Sequence, residues 1–175
     1  MKVTFKLALA GLINFMLSMI VAGNAIGQQK AATPAATPTP TLKQQIVGTW
    51  TLVSVYDQLY DGKKLDTWGP NVKGSAAYDR SGRFTYMIVA AGRKKSEAGP
   101  LAPVGKSIGY FGTYSVNEDD KTINWRIERS TYPNWEGLER KGKIMIKGDQ
   151  LSQVSAPASL PEGTVVPHLE WKRAK

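Results

Sequence analysis

The 175-residue chain has no cysteine and one histidine, His168. Without cysteine no disulfide can staple the fold, and a site needing thiolates or two imidazoles, including the common zinc sets, has no ligands to draw on. Neither a metal nor a cofactor is expected. Also missing are a Gly-x-Ser-x-Gly elbow, a phosphate-cradling Gly-rich loop and a dinucleotide fingerprint, so nucleophilic serine or cysteine chemistry and nucleotide binding have no support. Past the first 25 residues no segment sustains a 3.6-residue apolar period, which argues against a helical domain. A concentrated basic face is absent too. Arg93-Lys94-Lys95, Arg140-Lys141-Gly142-Lys143 and Lys172-Arg173 are spread along the chain, with Glu118-Asp119-Asp120 between them. A nucleic-acid partner would need those charges gathered and interleaved with aromatics, so none is expected.

The N-terminus has the three parts of a secretory signal. Lys2 and Lys6 are followed by an apolar run from Leu7 to Val21 and by the small residues Gly23-Asn24-Ala25. That pattern predicts a signal peptide over 1–25, cleaved after Ala25. The run is slightly short of the roughly 17 residues a spanning helix needs, and Asn14 and Ser18 interrupt it, so no stable membrane insertion is expected after cleavage. No cysteine follows to carry an acyl chain. The expected compartment is periplasmic or extracellular. Cleavage removes two of 23 basic residues and none of 14 acidic ones, leaving 21 against 14 and a net charge of +7, which reads as a solvated surface. Residues 26–41 include Ala-Ala-Thr-Pro-Ala-Ala-Thr-Pro-Thr-Pro, which has little to bury and reads as a disordered linker. The folded domain is then 42–175.

Within it, a short helical turn over Thr41 to Gln45 with Thr41 as cap precedes β-branched and aromatic runs separated by turn chemistry. The predicted strands are Ile46 to Tyr56, Gly74 to Tyr78, Arg83 to Ala90, Ile108 to Val116, Thr122 to Glu128, Glu136 to Ile146, Gln150 to Val154 and Thr164 to Lys172. Asp61-Gly62, Asp79 to Gly82, Asn117 to Lys121, Lys147 to Asp149 and Pro161 to Gly163 supply the reversals. Connections this short make successive strands neighbours, so the class is all-β and antiparallel. Eight strands on one core either form a sandwich or close into a barrel, and closure removes the exposed edges. Gly92 to Lys106, with Gly99-Pro100, Pro103 and Gly105, is long enough to cover a barrel mouth. Its polar residues fit a solvated excursion equally well.

Ile46-Val47-Gly48-Thr49-Trp50 resembles the opening strand of lipocalins, whose hallmark is Gly-x-Trp. Further blocks follow in order: Trp68-Gly69-Pro70 with Lys73-Gly74, Tyr78-Asp79 before Ser81-Gly82-Arg83, Tyr110-Phe111-Gly112-Thr113-Tyr114, Pro133-Asn134-Trp135 and Leu169-Glu170-Trp171-Lys172-Arg173. From Leu42 to Ala174 the chain is similar to the bacterial lipocalin-like domain family. The resemblance implies an up-and-down barrel of about eight strands holding a small hydrophobic molecule. It also implies that a basic residue on the last strand, Lys172 or Arg173, covers the first-strand indole. Gly48, Trp50 and Arg173 are therefore the candidate barrel-closing set, with Gly48 bending the chain as it enters the barrel.

Ligand cavities are apolar with a few placed polar groups, and tyrosine supplies both qualities. Tyr86, Tyr110, Trp125 and His168 are the candidate wall residues. By parity Phe84 shares a face with Tyr86, as Tyr110 does with Tyr114 across Gly112, whose missing side chain leaves room for a guest or for a neighbouring strand. Thr122 to Glu128 alternates, with Ile123, Trp125 and Ile127 on one face and Asn124, Arg126 and Glu128 on the other. The apolar face is expected inside, leaving Arg126 solvated. In the opposite orientation Arg126 would seek a ligand carboxylate. His168 reads either as a ligand or proton-transfer group or as an ordinary strand residue. The strand acids Glu128, Glu136, Glu139 and Glu170 read as outward faces. The expected function is an exported binding protein for a small hydrophobic or amphipathic ligand. The alternatives are a cofactor-free isomerase- or cyclase-like enzyme and a filled-barrel interaction domain.

Overall fold

A computed structural model describes residues 38–97, 99–100 and 105–175. The expected signal peptide, the linker as far as Thr37 and the centre of the 92–106 segment lie outside the described residues. The described part begins with a one-turn helix, α1 (Leu42–Ile46). Four strands follow: β1 (Gly48–Leu59), β2 (Lys64–Leu65), β3 (Lys73–Tyr78) and β4 (Arg83–Val89). Next come β5 (Ser107–Asn117), β6 (Thr122–Ser130) and a 3-10 turn over Pro133–Trp135. The chain ends with β7 (Glu139–Lys147), β8 (Gln150–Val154), β9 (Ala158–Leu160) and β10 (Gly163–Arg173). Eight strands pair antiparallel in the order β1, β3, β4, β5, β6, β7, β8, β10, and β10 returns to β1, so the barrel is closed. The short strands β2 and β9 extend the sheet beside β1 and β10.

The expected meander is present, with local corrections. Ile46 ends α1 instead of opening the first strand, and that strand continues past Tyr56 to Leu59. Residues 136–138 leave the 3-10 turn that Pro133 starts, so β7 begins only at Glu139. Thr122 to Glu128 turns its apolar face inward, with Ile123, Trp125 and Ile127 buried and Arg126 exposed. The core is continuous from Ile46 and Trp50 through Phe84, Ile127 and Leu151 to Trp171.

Two bulges reset the strand alternation. In β1 the pairing with β10 slips between Leu52 and Ser54. Trp50 and Leu52 face inward ahead of the slip, whereas Val55 and Asp57 do so after it. In β5 and β6, Phe111 pairs with Arg129 but Gly112 pairs with Ile127, leaving Glu128 over. Gly112 faces this irregularity, and a Cβ there would land on the Arg126 carbonyl. The room at this glycine is thus taken by the neighbouring strand.

One end of the barrel is sealed by α1. Five residues cannot sustain a helix alone, so tertiary anchors hold it. Thr41 and Gln44 form a capping box, and Leu42 and Ile46 are buried beneath the helix. The Glu118 carboxylate, reaching over from the β5–β6 turn, accepts from the Leu42 and Lys43 N–H groups at 2.8 and 2.9 Å. Partial desolvation opposes ionisation of Glu118, but those two N–H donors and Lys121 outweigh it and hold its pKa below the usual value. A depressed folded-state pKa gives stability that is present above the unfolded value and lost as pH falls through the folded one. Glu118→Gln should therefore cost about 1 kcal/mol at neutral pH, the scale of a helix cap. The gap between variant and parent should shrink below about pH 4.5, the ordinary carboxylate range. Urea midpoints at neutral and acidic pH check both the loss and its sign.

Trp50 is fully buried and its indole N–H donates to the Ile46 carbonyl at 2.8 Å. The Arg173 guanidinium lies 4.2 Å from the centre of that indole. It also donates to the Val47 and Gln45 carbonyls at 2.9 and 2.6 Å. Gly48 has φ +129°, and a Cβ there would stand 2.8 Å from Arg173 Nη1. Glycine therefore serves both the backbone conformation and the close approach of the guanidinium.

Candidate functional site at the open end of the barrel

The opposite end holds a cavity of about 140 Å³. Val55 and Asp57 of β1, Tyr86 and Ile88 of β4, Ile108 and Tyr110 of β5, Arg140 of β7, and Val165, Pro167 and Leu169 of β10 line it. Trp68 and Trp135 close in from the connecting segments. The rim over Trp68 is tied down: Asp66 accepts from the Gly69 N–H at 2.8 Å, and Lys106 Nζ donates to the Thr67 carbonyl at 2.8 Å.

Aromatic packing fixes the wall. Tyr86 and Tyr110 are opposite one another in the β4–β5 register, and their rings stack at 4.7 Å and 24°. Tyr86 meets Trp171 edge-on at 5.2 Å, and Tyr110 meets Trp135 edge-on at 5.5 Å. Such edge-to-face contacts each contribute about 1 kcal/mol beyond area burial, so the wall is a preformed surface. Burial pushes both phenols well above their usual range; Tyr78 adds to this for both, and the Arg140 cation pulls back. Both hydroxyls therefore stay neutral at physiological pH.

Two charged groups face this apolar space. Arg140 stacks its guanidinium 4.5 Å over Trp135 and donates to the Ala156 carbonyl at 3.0 Å. Asp57 is 4% exposed and has neither a hydrogen-bond nor an ion-pair partner for its carboxylate among the described residues. Nearby, the buried Gln153 donates to the Ser155 hydroxyl at 2.8 Å, while its Oε1 is unpaired among the described residues. Ser155 lines the cavity.

Of the residues singled out from the sequence, the structure brings Tyr86 and Tyr110 together in the cavity wall. Trp125 is elsewhere in the packed core, where its indole N–H donates to the Tyr78 hydroxyl at 3.2 Å. Arg126 projects from the outer face. His168 lies on the outward side of β10, stacked on Tyr56 at 4.8 Å and 4°, with Lys64 Nζ 4.3 Å from the Tyr56 ring centre. Asp57, Arg140, Trp68 and Trp135 were not singled out. For Arg140 a signal existed, because it shares strand parity with Gly142, Ile144 and Ile146. Parity counted from Trp50 places Asp57 outside, and only the bulge turns it in.

A closed eight-strand antiparallel barrel, sealed at one end by an indole under a guanidinium and hollow at the other, is a lipocalin-type architecture. A profile of the lipocalin-like domain matches residues 47–174, and the chain belongs to this family. No curated protein and no solved structure matches the chain.

Proposed function

We propose that the protein is an exported carrier that holds one small hydrophobic or amphipathic molecule in the mouth of its barrel, in the periplasm or outside the cell. The observation that carries this reading is the cavity of about 140 Å³, walled by aromatic and aliphatic side chains yet open to charged groups. A closed apolar cavity of about 150 Å³ admits one benzene-sized ring, so the occupant's buried part is of that order. Burying about 150 Å² of apolar surface at about 25 cal/mol per Å² contributes roughly 4 kcal/mol before the cost of association. Apolar contact alone therefore gives no better than about millimolar affinity, and tighter binding has to come from Asp57, Arg140 and the tyrosine hydroxyls. Export is supported by the basic, apolar and small-residue succession of residues 1–25.

Native mass spectrometry of the mature protein, purified from its own cell envelope without lipophilic additives, tests the carrier reading. The expected result is a mass excess that vanishes after denaturing extraction. A bare mass that stays bare against fatty acids, isoprenoids and aromatic metabolites would remove the carrier reading in favour of a filled barrel.

A further inference from the structure

Building on the carrier reading, we infer that the occupant of the mouth cavity carries a protonated amine, which Asp57 receives. A carboxylate that faces a largely apolar cavity without a partner gains most from a ligand that brings hydrogen-bond donors and a positive charge. Asp57 is 4% exposed, its carboxylate oxygens are not sealed off from the cavity space, and it shares the wall with Val55, Thr67, Val165, Pro167 and Leu169. The other charge lining the cavity does not answer it. Arg140 stands three strands away round the wall, from β7 through β8 and β10 to β1. Its guanidinium is held between the Trp135 ring and the Ala156 carbonyl, and it forms no ion pair with Asp57. The cavity thus offers one engaged cation and one unengaged anion.

The placement of Asp57 is built into the strand. Without the slip between Leu52 and Ser54, alternation from Trp50 would send Asp57 to solvent and Tyr56 inward. The bulge instead delivers an anion to the cavity at the barrel mouth, opposite Pro167, whose nitrogen has no hydrogen to give it. An ammonium group supplies both the compensating charge and several N–H donors, and charge-assisted bonds of this kind are the strong ones. The body attached to it is limited by the cavity to about one ring, and the Tyr86 and Tyr110 wall suits an aromatic one.

NMR titration following the indole N–H signals of Trp68 and Trp135 tests this with three probes of similar size: benzylamine, toluene and benzoate. Benzylamine is expected to bind at least about tenfold more tightly than toluene, and benzoate most weakly. In Asp57→Asn, benzylamine should fall to the level of toluene while toluene binding is retained, which also shows that the variant is folded. Toluene or benzoate binding as tightly as benzylamine to the parent protein would overturn the inference without needing any variant. So would an amine preference that survives Asp57→Asn. If none of the three binds at millimolar concentration, the carrier reading itself fails and the inference falls with it.

Discussion

Gly112→Ala is expected to lower the stability of the barrel by about 3–4 kcal/mol, and the melting temperature by roughly 10 °C or more. The added methyl would meet the Arg126 carbonyl, with the Glu128 nitrogen 3.0 Å away. Those are backbone atoms of the bulged β6 segment, fixed by ladder bonds on both sides, so no side-chain rotation can relieve the overlap. Overpacking usually costs about 1–3 kcal/mol because side chains can move, and a clash with backbone sits at or above the top of that range. Gly109 on the same strand supplies the contrast. A Cβ there would approach the end of the half-exposed Met87 side chain at 3.1 Å, which can swing away, so Gly109→Ala should stay within about 1 kcal/mol of the parent. Urea denaturation of the two variants side by side decides the matter, and equal midpoints would refute the argument.

Arg173→Met is the second large effect, expected at about 3 kcal/mol. The guanidinium is the donor for the Gln45 and Val47 carbonyls at the end of α1, where no further helical turn can satisfy them. Methionine keeps much of the contact with Trp50 but leaves both carbonyls without that donor. It also removes the cation from the indole face, a loss of about 1 kcal/mol. The Asp149 contact at 3.6 Å is largely exposed and contributes little to this sum. Arg173→Lys should recover only part of the loss, since an ammonium cannot reproduce the fork that spans two carbonyls and lies flat on a ring. Chemical denaturation is the check. A methionine variant as stable as the parent would show that the sealed end does not depend on the guanidinium.

Much of the barrel was legible because its rules are local. Alternation in Thr122 to Glu128 told which face of β6 is buried, and turn chemistry at Asp79 to Gly82 and Lys147 to Asp149 set the neighbours. The helical turn at α1 was legible too, from Thr41 and the residues that follow it. What the sequence conceals is whatever depends on a register slip or on depth along the barrel axis. Asp57 looks solvent-facing until the β1 bulge is known. Trp125 and Tyr110 both face inward, yet one belongs to the packed interior and the other to the cavity. Their depth depends on the tilt and stagger of eight strands together, which no single strand records. Trp135 reaches the mouth from the 3-10 turn that Pro133 starts in the connection between β6 and β7, a placement that strand alternation does not record. His168 was conspicuous as the lone imidazole, but its parity with Val166 and Glu170 puts it on the outside with Tyr56.

The seam that completes the barrel joins the two ends of the domain: Arg173 reaches Val47, 126 positions earlier, and β10 lies along almost the whole of β1. Every other neighbouring pair in the ring except β1–β3 and β8–β10, which have β2 and β9 between them, joins strands consecutive in sequence. This one must wait until most of the chain has been gathered, since the entropy of closing so long a loop is lost before the contacts return it. While the chain is being made, the β1 edge on the β10 side therefore stays unpaired until β10 arrives, and folding belongs in the millisecond-to-second regime of non-local β proteins. Until then the nascent chain presents a free sheet edge on which a second copy could add, so the final strand also serves as protection against self-association.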